Sequence, residues 1–147
     1  MSHKIIREAE GIYNDLHFVV VFNELFIRCG YVGVPKGHPL FGKDYDDLPF
    51  WANCHGGLTY AGTGGHFVNF SEESELWWFG FDCGHVEDGY DLEIGKKYFP
   101  DDADFVEKNF ASYNTIGRII RTTDYVIENC KELIDQINEY ASETKNG

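Results

Sequence analysis

In the last third of the chain, Val126, Ile127, Cys130, Leu133, Ile134, Ile137 and Tyr140 recur three or four residues apart, which is the apolar stripe of an amphipathic helix. One stripe cannot bury itself, so it must lie on an apolar surface built elsewhere in the chain. The spacing predicts a helix over about 123–142, capped by Thr122 or Thr123. Asp124 and Glu128 fall toward its positive end, and Lys131 and Lys145 lie further along.

The surface comes from the first half. Residues 4–10 and 16–34 read as strands: LHFVVVF, a short Asn23-Glu24 connection, then LFIRCGYVGV, runs rich in β-branched and aromatic residues that form a hairpin. Residues 35–50 hold three of the four prolines and predict an ordered surface loop. Strand patterns return at about 52–61 and 66–70, joined through Gly62-Thr63-Gly64-Gly65, and at 76–83 after the polar SEESE connection. Residues 86–104 are acidic and turn-rich, with Asp88-Gly89 and Phe99-Pro100 as turn signals and a short helix near 102–110. The expected architecture is one α+β domain over 1–147. An antiparallel sheet of five to six strands (residues 4–83) carries the C-terminal helix on one face.

Charge narrows the function classes. Twenty-five acidic against 12 basic residues leave a formal net charge of −13, which repels nucleic acid polymers and anionic membrane surfaces. A small anionic ligand remains compatible, because one local arginine can outweigh a diffuse field through bidentate contacts. No basic segment followed by a long apolar run opens the chain, so neither a signal peptide nor a membrane span is expected. Cys29, Cys54, Cys83 and Cys130 then read as reduced thiols in a cytoplasmic protein.

Two words carry most of the reactive chemistry: NCHGGLTYAG (53–62) and LWWFGFDCGH (76–85). Their glycines suggest close approach of a ligand or another backbone. Strand alternation puts His55 and Thr59 on one face, Trp78 and Asp82 on one face of their own strand, and Arg28 on the same polar face if the strands pair in the supposed order. Arg118 or Arg121 reaches in from the start of the last helix or from a neighbouring subunit of a homo-oligomer. A stacking ring, a cation, a carboxylate and neutral donors suit a nucleotide-like ligand. The blander readings are a filled aromatic core for the tryptophans and a salt bridge for Arg28.

Alternatives from other classes stand beside it. A hydrolase would use Cys83 as nucleophile with His55 or His85 as base and Asp82 as orienting group. Zinc could take Cys54, His55, Cys83 and His85, or His55, Asp82 and His85 with a water, although neither word has the usual two-residue gap between ligands. An acidic inhibitor of a host protein is the third class. Gly62-Thr63-Gly64-Gly65 lacks the lysine of a phosphate loop, and Asp101-Asp102-Ala103-Asp104 lacks the remainder of a calcium loop.

RCGYVGVPKGHPLFGKDYDD (28–47), CHGGLTYAG (54–62), LWWFGFDCGH (76–85) and RTTDYVIENCKELIDQI (121–137) resemble a group of small phage and prophage proteins. That resemblance covers most of the chain and implies a phage origin and expression in a bacterial cytoplasm; it implies no activity. The broad architecture is also similar to anti-defence sponges such as the first Thoeris anti-defence family, which sequester cyclic nucleotide signals. The resulting expectation is sequestration of a nucleotide-like ligand without turnover and without a cofactor.

Overall fold

The computed structural model describes residues 4–68 and 72–146, the side chains as far as residue 144. Five strands form one antiparallel sheet: β1 (Ile5–Tyr13), β2 (Leu16–Asn23), β3 (Arg28–Val34), β4 (Tyr60–Gly62) and β5 (Trp77–Asp82), in the order β1-β2-β3-β5-β4. Asn14 and Asp15, both with positive φ, form the two-residue turn that joins β1 to β2 with the twist a hairpin needs. A register shift between Arg7 and Ala9 leaves Glu8 unpaired in the ladder, and a bulge of this kind re-aims the extra side chain.

Three helices follow: α1 (Leu92–Tyr98), α2 (Pro100–Asn114) and α3 (Thr123–Asn146). Pro100 opens α2 at a position where its missing N–H removes no helical bond. Thr122 accepts the Tyr125 N–H through its hydroxyl at 3.2 Å and the Val126 N–H through its carbonyl at 3.1 Å, so the expected cap is Thr122. The helix runs past the expected end at 142. The side chain of Lys145 lies outside the described residues, as do residues 69–70 of the expected strand at 66–70.

The sheet is covered on both faces. On one, Val126, Cys130, Leu133, Ile134 and Ile137 of α3 pack against Val20, Val32, Phe79 and Phe81. On the other, Phe67 and Leu76 cover Val19, Val21, Tyr31 and Trp78. This explains the unbroken apolar run Phe18 to Phe22, buried throughout, since a strand enclosed on both sides loses the polar half of its alternation. Gly30 lets α3 approach closely: a Cβ there would lie 2.8 Å from the Cys130 sulfur. A third cluster, Phe22, Phe26, Phe99, Ala103 and Val106, ties α1 and α2 to the end of the sheet.

Two expected strands change. Of 52–61, only Tyr60 and Ala61 are in β4, which ends at Gly62; residues 51–59 form a loop turned by Gly56 and Gly57, both at positive φ. Residues 65–67 form a 3₁₀ turn. Strand alternation therefore does not govern His55 or Thr59. No described helix is long and apolar enough to cross a membrane.

Candidate functional site

Arg28 and Trp78 stand apart from the expected polar face. Trp78 is fully buried, its indole N–H donating to the Glu73 carbonyl at 3.1 Å, in the apolar layer beneath Phe67. Arg28 is 4 % exposed and lies toward α3, on the other side of the sheet. The bulged Glu8 accepts from its Nε at 2.6 Å, Asp91 from its Nη1 at 2.8 Å, and the Arg121 carbonyl from the same Nη1 at 3.0 Å. A buried guanidinium held by two partly buried carboxylates is an internal strut.

Of the remaining expected residues, the structure brings His55, His85 and Arg121 together in an open cleft of about 600 Å³, lined also by Gly56, Val86, Glu87, Asp88 and Tyr125. Its centre is Asp88, whose side chain is 1 % exposed. This carboxylate accepts from His55 Nε2 at 2.9 and 3.0 Å, from Arg121 Nε at 2.8 Å and from the His85 backbone N–H at 2.9 Å. Burial pushes the Asp88 carboxyl up, but the bonds from His55, Arg121 and the His85 amide outweigh it and hold it below its ordinary value. A parallel bridge between Asp88 and Ile119 fixes the backbone of the same segment.

Because an ionised carboxylate only accepts, Nε2 of His55 carries a proton. The other ring nitrogen, Nδ1, lies 2.8 Å from the Tyr125 hydroxyl. Both nitrogens are thus committed to internal partners. The loop backbone is equally held: His55 N–H donates to Asn129 Oδ1 at 2.9 Å, and Gln136 of α3 bonds the N–H and C=O of Asn53 at 2.7 and 2.8 Å. Gly56 admits the His85 ring, because a Cβ there would overlap His85 Nε2. That nitrogen has no hydrogen-bond partner among the described residues, and Asp82 Oδ1 stands 3.6 Å away.

Thr59 donates to Asp82 at 3.2 Å, beside the cleft without lining it. Arg118 stacks over Tyr113, 4.3 Å from its centroid, away from the carboxylate. Cys83 is buried in the α3 core, and burial first, then nearby acidic groups, push its thiol up to about 12. The expected Cys83-centred triad is not assembled among the described residues: Asp82 stands 3.6 Å from His85 Nε2, but the enclosed Cys83 thiol makes no hydrogen bond to either histidine. Among the described residues no three His, Cys, Asp or Glu side chains converge as a metal site would require.

Asp88, Tyr125 and Asn129 were outside the sequence reading of the site. Asp88 read only as a turn signal, and Tyr125 and Asn129 flank the stripe position Val126 and Cys130; a tyrosine and an asparagine four residues apart beside an apolar stripe were the available clue. Compared with known proteins, the chain matches no family model, no curated protein and no solved structure.

Proposed function

We propose that the protein binds a small ligand through an anionic, phosphate-like group at Arg121 and holds it without turnover. The observation that carries this reading is the fixed state of Arg121. Asp88 anchors its Nε, Arg28 anchors its carbonyl, and its guanidinium lies over the Tyr125 ring, 5.1 Å from the centroid. The two terminal amino groups make no hydrogen bond to the described protein. A guanidinium held in this way keeps its planar fork available for an oxyanion with little further ordering. The start of α3 follows immediately and adds the positive end of a 24-residue helix.

Absence of turnover rests on the same geometry. A general base must reach the reacting group and a nucleophile needs access, whereas His55 is engaged by Asp88 and Tyr125, His85 Nε2 is buried against Gly56 rather than open to the cleft, and Cys83 is enclosed. Retention without reaction is what sequestration of a signal molecule requires.

Calorimetric titration with ribose 5-phosphate tests the reading. Saturable binding is expected, weakened at least tenfold by Arg121→Ala, with the probe recovered intact by mass spectrometry. Affinity unchanged in Arg121→Ala, or release of inorganic phosphate, overturns it.

A further inference from the structure

A second depression of about 610 Å³ lies between residues 45–51 and the turn at 54–57. It shares Gly56 with the Arg121 cleft, so the two are neighbours divided at a residue with no side chain. We propose that this groove takes an aromatic heterocycle, making the ligand a nucleotide-like molecule whose base lies against Trp51 and whose phosphate meets Arg121. The inference rests on the reading of the Arg121 cleft given above.

Trp51 is the reason. It is 87 % exposed, the most exposed large apolar side chain among the described residues, and it makes no ring contact among them. An indole held in water beside a cavity offers a sequence-tolerant stacking plane to any base. The backbone that carries it is anchored, because Asn53, two residues on, is fastened to Gln136 by a pair of hydrogen bonds. Tyr45 and Phe50 add aromatic wall, and Asp46 adds an acceptor for amino groups on a base edge. The Arg121 cleft lacks such a plane of its own, since the Tyr125 face is covered by the guanidinium.

The experiment compares AMP with ribose 5-phosphate by calorimetry in wild type, Trp51→Ala and Arg121→Ala, with far-UV circular dichroism to confirm folding. The expected result is AMP binding at least tenfold tighter than ribose 5-phosphate, the advantage lost in Trp51→Ala while ribose 5-phosphate affinity stays unchanged, and both ligands weakened in Arg121→Ala. Equal affinities in wild type, or an AMP advantage that survives Trp51→Ala, overturn the groove while leaving the Arg121 cleft standing. Binding of neither ligand overturns the cleft and the groove with it.

Discussion

Arg28 donates from Nη1 to the backbone carbonyl of Arg121 at 3.0 Å, so one buried arginine fixes the residue whose own guanidinium lines the cleft. The interior and the site are joined at that bond. Glu8 and Asp91 complete the strut, and the bulge in β1 is what aims Glu8 at it.

Arg28→Ala leaves two carboxylates in poorly solvated surroundings with no cation. Breaking a buried ion pair by removing one partner destabilises by about 3–5 kcal/mol, a large share of the ordinary stability of a domain. Urea denaturation is expected to show a loss of that size. The double change Arg28→Met with Glu8→Gln removes charge from both sides and is expected to recover part of it. A loss under about 1 kcal/mol for Arg28→Ala would mean that the strut is not structural.

Gly56 and Gly57 separate two effects of a glycine. Both have positive φ, 68° and 79°, but a Cβ at 57 meets open space and one at 56 meets the His85 ring. Gly57→Ala carries backbone strain alone, about 1–2 kcal/mol. Gly56→Ala adds displacement of His85 and is expected to be the more destabilising of the two. It is also expected to shift the His85 imidazole resonances in an NMR spectrum, which Gly57→Ala leaves in place.

Much of the fold was legible because its periodicities are strong. The stripe from Val126 to Ile137 fixes α3, and the two-sided burial of β2 is written in the run Phe18 to Phe22. The loop at 51–59 was not legible as a loop: Cys54, Leu58 and Tyr60 alternate with polar residues as a strand would, and only the positive φ of Gly56 and Gly57 reveals the turn. Arg28 was misplaced by register, since Cys29 and not Arg28 pairs with Asp82, and Trp78 was misjudged by what lies over it. Alternation says which residues share a face, but not what covers that face, and here Phe67 covers one and α3 the other. Asp88 was invisible because its partners lie 33 residues away on both sides, at His55 and Arg121.

The Asp88 node predicts acid sensitivity. Its folded-state pKa is held below the ordinary 3.8, so the folded chain holds on to the charged form more strongly than the unfolded chain does. That stability is present above the unfolded value and is lost as pH falls through the folded one. Thermal unfolding between pH 7 and pH 3 is expected to show a fall at the acid end that is smaller in Asp88→Asn, which is less stable at pH 7. An identical acid limb in both proteins would remove Asp88 as its source.

The four cysteines are expected to be slow to react. Burial leads the causes that push Cys29, Cys54 and Cys83 up to about 12, and it raises Cys130 as well. At pH 8 a thiol with such a value is ionised in only about one molecule in ten thousand, and the thiolate is the reactive form. Treatment of the native protein with a disulfide reagent is expected to label none of the four on the timescale that labels all four in urea. Rapid stoichiometric labelling of Cys83 in the native state would revive it as a nucleophile.

The outer face of α3 carries its own strain. Asp124, Glu128, Glu132, Asp135 and Glu139 are all exposed, three or four residues apart, and like charges at that spacing on a helix repel by about 0.2–0.5 kcal/mol per pair. Interior packing of the opposite face outweighs this, but added salt screens the repulsion. The melting temperature is therefore expected to rise with sodium chloride from 20 mM to 0.5 M, whereas a surface held together by ion pairs would lose stability. Glu132→Lys makes the same point at one residue: it sets a lysine four residues after Glu128, in the favourable orientation, and three before Asp135, in the weaker one. A gain of about 0.5–1 kcal/mol in urea at low salt is expected, shrinking at 0.5 M. A gain independent of salt would trace instead to helix propensity, and no gain would mean that water alone already screens the stripe.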